Sequence, residues 1–315
     1  MDKAKPENDV EYTIGNLQDL IKIAKNPGRN HDAKRLINLI DQIQELDNMV
    51  GLENLKNQIL DQILITIQNL NGEEMMHTAI LGPPGVGKTT VAKIIATIYN
   101  KSGLLSDGKL KVVGRDDLIG QYLGETAIKT KRVLKSCIGG VCFIDEAYSL
   151  GSSEKRDSFS KECIDTITKF LSEHPTNFVC IIAGYKESLE ECFFSHNPGL
   201  RRRFPFVYDI EKYKPSQLSD IFISQLNKTK WRNDISIEDM ENLFSENHHI
   251  FQHNGGDTEN LFTCCKMAHA RRVFGKRKGY KRSLNMSDIS NGFKIFKKNK
   301  LEQITEKDIP NHMYM

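Results

Sequence analysis

Eight consecutive residues, Gly82, Pro83, Pro84, Gly85, Val86, Gly87, Lys88 and Thr89, spell G-x-x-x-x-G-K-[ST], with Thr90 directly behind them. Glycines at this spacing let backbone N–H groups turn inward around an anion. Lys88 supplies a point charge to β and γ oxygens, and Thr89 offers a hydroxyl to Mg²⁺. A second cluster, Asp145 and Glu146, closes the apolar run Val141 to Ile144. At the C-terminal end of a buried strand, Asp145 is placed to hold Mg²⁺, directly or through water, and Glu146 to polarise a water that attacks a γ-phosphate. The expected ligands are ATP and Mg²⁺, and the expected chemistry is phosphoryl transfer to water.

Residues of this kind need a sheet to carry them. Short β-rich runs alternate with longer helical stretches between about Met49 and Tyr208, which predicts an α/β fold, a five-stranded parallel sheet covered by helices. The runs are Thr78 to Leu81, Leu110 to Val113, Val141 to Ile144, Phe178 to Ala183 and Phe206 to Ile210. Three of them are nearly all apolar, which predicts central strands buried on both faces. A helix opening just after Gly87 adds its positive end to the phosphate loop. Upstream, Leu17 to Ala24 and Leu36 to Leu46 have helical apolar spacing and are separated by Asn26, Pro27 and Gly28, the pattern of a helical hairpin. Beyond Tyr213 the β signal stops, and Leu218 to Leu226, Ile237 to Asn247 and Thr258 to Phe274 read as helices. The predicted organisation is a helical segment over 1–48, an ATPase domain over 49–210, an all-helical lid domain over 211–300 and a polar tail over 301–315.

Composition excludes several classes. A chain of 315 residues, 39% hydrophobic and 27% charged, can bury a sizeable core and is neither disordered nor fibrous. A net charge of only +3 gives no whole-chain argument for nucleic acid or an anionic membrane. The longest apolar runs, such as Phe178 to Ala183, fall far short of the roughly 20 residues that cross a bilayer, so no membrane partner is expected. Met1 to Glu7 lack the apolar stretch of a signal peptide, and the 7 cysteines show no C-x-x-C pair. Together these predict a reducing compartment, the cytoplasm, with the nucleus as an alternative. Adjacent Cys264 and Cys265 read as part of a helix.

Several strings extend the pattern: VGLENLKNQI from Val50, GPPGVGKTT, SGLLSDGKLKVVGRDDLIGQYLGETAIKTKRVL, GGVCFIDEAYSL, IIAGYKESL and NPGLRRRF, in that order. From about Leu46 to Lys276 the sequence closely resembles the AAA+ ATPases of the CbxX/CfxQ branch, whose best-known members are the red-type rubisco activases. The resemblance implies a homo-oligomeric ring, hexameric, that hydrolyses ATP to pull on a protein client. It assigns Tyr122, Leu123 and Gly124 to a loop facing the central pore, where a Tyr ring grips a threaded chain through apolar contact. It assigns the run Arg201, Arg202, Arg203 to the segment that reaches a neighbour's nucleotide, with Arg203 first and Arg201 second. Arg suits that role because its planar fork stays charged.

Two positions depart from the wider AAA+ pattern. Where most members place a polar sensor after the fourth strand, this chain has Ala183, Gly184, Tyr185, so Tyr185 is expected to hydrogen-bond near the γ-phosphate or to be a core tyrosine. The nucleotide-sensing Arg of the helical domain is absent from Asn254 to Leu261 (NGGDTENL), and Arg271 and Arg272 lie more than two helical turns beyond it. A basic cluster, Lys276, Arg277, Lys278, Lys281 and Arg282 with Tyr280, could touch nucleic acid phosphates or act as a nuclear address, solvated surface being the favoured reading. The function expected is ATP-driven remodelling of a protein. The alternatives are a ring ATPase acting on nucleic acid and a module whose assembly is set by nucleotide with slow hydrolysis.

Overall fold

A computed structural model describes residues 12–151, 157–276 and 281–307. The chain divides into two compact units, one built from the residues up to Gly82 and Lys88–Ile210, the other from Pro83–Gly87 and the residues from Glu211 on.

The first unit begins with α1 (Leu17–Lys25), α2 (His31–Leu36) and α3 (Ile40–Asp47), followed by α4 (Glu53–Ile67). The second helix of the expected hairpin is therefore broken, with a turn of 3₁₀-helix at Ile37–Leu39. Residues i and i+3 eclipse in that geometry, which keeps Leu36 and Leu39 both in the core with Ile43 and Leu46. The α/β part then runs β1 (Thr78–Leu81), α5 (Lys88–Lys101), β2 (Leu110–Val113), α6 (Arg115–Leu118), α7 (Glu125–Lys135), β3 (Val141–Ile144), α8 (Ser158–Glu173), β4 (Val179–Gly184), α9 (Lys186–Cys192), α10 (Pro198–Arg201) and β5 (Phe206–Asp209).

All five strands are parallel, in the order β2-β3-β4-β1-β5. As expected, three strands are central, β3, β4 and β1, and every residue of them is buried. The fourth strand starts one residue later than the sequence suggests, because its ladder begins where Val179 pairs with Val141. β4 separates β1 from β3, so whatever follows β4 emerges between the phosphate loop and the acidic pair. Helices α5 and α8 press Val91, Ile94, Ile95 and Ile98, and Cys163, Ile164, Ile167 and Leu171, into the core. Each large aliphatic buried this way contributes about 1.5–3 kcal/mol.

The second unit holds α11 (Pro215–Lys228), β6 (Arg232–Asn233), α12 (Ile237–Glu246), α13 (Asn254–Val273), β7 (Ser283–Leu284) and α14 (Met286–Lys307). Pro215 opens α11 and the Ser236 hydroxyl caps α12, two ordinary helix starts. The expected all-helical segment also contains a parallel pair of two-residue strands, β6 and β7. Two boundaries differ from expectation. α13 starts at Asn254 rather than Thr258, so NGGD is its first turn. α14 continues to Lys307, so 301–307 is helix rather than tail. Arg272 pairs with buried Asp288 at 2.7 Å and thereby ties α13 to α14. Of the basic cluster, Arg277, Lys278 and Tyr280 lie outside the described residues, as do Met1 to Glu7 and the tail from 308 on. Among the described residues no helix is long and apolar enough to cross a membrane.

Candidate functional site

Lys88 is the first residue of α5 and is largely buried. Its ammonium donates to the Gly82 carbonyl at 3.0 Å and lies 5.0 Å from the centroid of the Tyr185 ring. Burial pulls its pKa down, opposed by the charges of Glu146 and Asp145. Thr89 donates its hydroxyl to Asp145 Oδ2 at 2.9 Å. One residue from α5 and one from the end of β3 thus meet with only oxygen donors between them, the kind that a magnesium ion prefers. Thr90 is exposed.

Glu146 leaves β3 in the left-handed region, φ 51°, a conformation that costs a non-glycine residue about 1–3 kcal/mol. Its amide donates to Asp145 Oδ1 at 3.0 Å, while its buried Oε2 has no hydrogen-bond partner among the described residues. Burial raises the Glu146 pKa, with Lys88 opposing and Asp145 adding to the rise. A half-buried carboxylate with an idle oxygen can accept a proton.

Between these groups stands Tyr185, just past β4. Its ring stacks on Tyr148, centroids 5.3 Å apart and planes 20° from parallel, and presents a face to Lys88. Its contact with Lys88 is through the ring face. Burial, then the charge of Glu146, raises the Tyr185 pKa. Tyr148, within the DEAYSL string, went unremarked in the sequence. Its aromatic character two residues after the acidic pair was the available signal.

The phosphate loop shows why glycine is needed at two places. A Cβ on Gly82 would lie 2.6 Å from the Ile210 carbonyl oxygen, and one on Gly85, φ 72°, would lie 1.9 Å from that of His253. Residues of the loop are held by hydrogen bonds from residues 213–255, which the sequence did not bring into view. Asn254 Nδ2 donates to the Pro84 carbonyl, the Gly255 amide to that of Gly85, and the Tyr213 hydroxyl to that of Val86, each at 3.0 Å.

The ATPase family associated with various cellular activities (AAA) matches residues 78–211, the span from β1 to just past β5. A cfxQ-like protein of Acanthamoeba polyphaga mimivirus is 41% identical over an alignment covering 98% of this chain and 79% of that protein. The chain belongs to the CbxX/CfxQ family of AAA+ ATPases. A CfxQ homolog of Galdieria sulphuraria is 31% identical over 86% of this chain and 88% of its own length. In fold, the chain is similar to the FIGL-1 AAA domain solved in complex with ADP, with a TM-score of 0.57 and 19% identity over 83% of this chain and 88% of that one. As an AAA+ ATPase it binds nucleotide and hydrolyses ATP.

Other residues singled out for this AAA+ ATPase have partners of their own. Arg201 pairs with Glu190 and lies 4.8 Å over the Phe194 ring. Arg203 is half-buried, and its partners are neutral: Ser172 Oγ accepts from Nε at 3.2 Å and from Nη2 at 3.0 Å, and the Gly199 carbonyl accepts from Nη1 at 3.1 Å. Arg202 is exposed. Tyr122 and Leu123 are 69% and 83% exposed on the loop before α7, whose Glu125 carboxylate accepts from the Gln121 and Tyr122 amides. Gly124 caps α7 with φ 83°.

Proposed function

We propose that this AAA+ ATPase works as a hexameric ring that couples ATP hydrolysis to remodelling of a protein client, with a catalytic domain over 49–210 and a helical domain over 211–300. The observation that carries the chemistry is the convergence of Lys88, Thr89, Asp145 and Glu146 on the C-terminal ends of β1 and β3. When bound, ATP supplies the γ-phosphoryl group and Mg²⁺ the charge that offsets its oxygens. Residues Gly82 to Thr90 would hold the phosphates, and Thr89 and Asp145 the Mg²⁺. Lys88 draws the β and γ oxygens in, and Glu146 Oε2 accepts the proton of the attacking water.

Arg203 is the residue assigned to reach a neighbouring subunit's γ-phosphate. Its neutral partners leave its charge undiminished, whereas Glu190 offsets that of Arg201. The exposure of Tyr122 and Leu123, two large apolar side chains side by side on one loop, supports the pore-loop role, since solvated apolar groups have affinity for a passing chain.

The deciding experiment measures ATP turnover with and without an unfolded protein and, in parallel, with single-stranded nucleic acid. Stimulation by the unfolded protein is expected. Stimulation by nucleic acid alone would overturn the remodelling reading in favour of a nucleic-acid ATPase.

A further inference from the structure

The chain lacks an arginine between Asn254 and Leu261, yet that segment engages the phosphate loop directly. Three successive loop carbonyls, those of Pro84, Gly85 and Val86, are taken by Asn254 Nδ2, the Gly255 amide and the Tyr213 hydroxyl, each at 3.0 Å. Asn254 is buried, with φ 48°, a left-handed conformation that Asn tolerates better than most residues. Its Oδ1 also accepts the Tyr213 amide at 3.1 Å, so one side chain joins the loop to the segment carrying Tyr213. The first turn of α13 is itself pinned: buried Asp257 accepts the His253 amide at 2.8 Å and pairs with Lys300 at 2.6 Å.

A planar trans peptide points its C=O and N–H in opposite directions. The carbonyl of Pro84 shares a plane with the N–H of Gly85, that of Gly85 with the N–H of Val86, and that of Val86 with the N–H of Gly87. A group that fixes each carbonyl therefore aims the next N–H the other way. Cradling an anion requires these N–H groups to converge, and the carbonyls then need donors on the opposite side.

We propose that Tyr213, Asn254 and the Gly255 amide are positioning groups that aim the N–H groups of Gly85, Val86 and Gly87 at the phosphates of ATP, and that residues 211–307 respond to nucleotide through this clasp instead of through an arginine. The proposal rests on the reading of Gly82 to Thr89 as the phosphate site.

The test compares binding of ATP, ADP and adenosine by the wild type, Tyr213→Phe and Asn254→Asp, with the thermal midpoint of each protein measured without nucleotide. Tyr213→Phe removes one donor and leaves the Val86 carbonyl unpaired. It should weaken ATP and ADP binding about five- to tenfold, the value of one hydrogen bond, with adenosine binding unchanged. Asn254→Asp keeps the acceptor for Tyr213 but exchanges the donor facing Pro84 for a carboxylate, and should weaken phosphate binding at least as much. Equal ATP affinity in all three proteins, or an equal loss for adenosine, overturns the proposal. Failure of the wild type to bind ATP overturns the phosphate-site reading instead. If neither variant folds, hydrogen exchange on the wild type decides: saturating ATP should slow the Gly255 amide more than the Met240 amide of α12, and an unchanged Gly255 rate overturns the clasp.

Discussion

The ammonium of Lys88 lies 5.0 Å from the centre of the Tyr185 ring, which also stacks on the ring of Tyr148. Removing the ring should cost ATP affinity while removing the hydroxyl should not, because a cation is drawn to the π face. Tyr185→Leu is expected to raise the ATP dissociation constant about five- to thirtyfold, corresponding to about 1–2 kcal/mol, and Tyr185→Phe to leave it near wild type. Titration with a fluorescent ATP analogue distinguishes them. A Tyr185→Phe protein that binds normally but turns over slowly would show that the hydroxyl acts on the phosphate after all.

Lys88→Ala should abolish ATP binding, since Tyr185 and Gly82 supply no replacement charge. Glu146→Gln should bind ATP yet turn it over poorly, because the amide cannot take the proton that the idle Oε2 is placed to accept. Binding and turnover measured side by side check both, and near-normal turnover by Glu146→Gln would mean that the base lies elsewhere.

Arg203→Ala should leave ATP binding intact and lower turnover by on the order of 10³-fold or more, as loss of an arginine finger does in related sites. Arg201→Ala, whose charge Glu190 already offsets at the surface, should keep turnover within about threefold. Mixing decides whether the effect acts in trans: Lys88→Ala subunits still carry Arg203 and should partly restore the Arg203→Ala protein. Turnover per subunit that is flat from dilute to concentrated protein would count against a shared site.

Tyr122→Ala should retain basal ATPase and assembly but lose stimulation by a protein client, and Tyr122→Phe should be nearly silent, since the ring rather than the hydroxyl provides apolar contact. Basal and client-stimulated rates of both variants are the measurement. Loss of folding in Tyr122→Ala would make it a packing residue, an outcome at odds with its exposure.

His77 is buried between Phe178 and Phe204, and its Nδ1 accepts the Cys180 amide at 3.1 Å. Burial takes its pKa from 6.5 down to about 4. The folded state therefore favours the neutral ring. Stability from this group is complete above pH 6.5 and declines as the pH falls toward 4, by on the order of 3 kcal/mol. Denaturant titrations between pH 7 and pH 4.5 should show this slope in the wild type and a flatter one in His77→Phe, which is less stable at pH 7 because the Cys180 amide loses its acceptor. Equal slopes would remove His77 as the cause.

The features that the sequence determined by itself are local ones. The central strands were legible because burial on both faces demands unbroken apolar runs, and Gly82–Thr89 because a loop that wraps a phosphate is built from consecutive residues. Asp145 and Glu146 were legible because they end such a run. What only the tertiary structure decided depends on contacts between residues distant in the chain. The sheet order places β4 between β1 and β3 and so brings the Tyr185 ring beside Lys88. A carboxylate from α9 occupies Arg201 and leaves Arg203 with neutral partners. Asn254, at a position notable in sequence only for the arginine missing nearby, reaches the Pro84 carbonyl. Hydrophobic periodicity says which side of an element faces the core, but not which polar atom it meets there, because hydrogen bonds over such separations are set by the packing of whole elements.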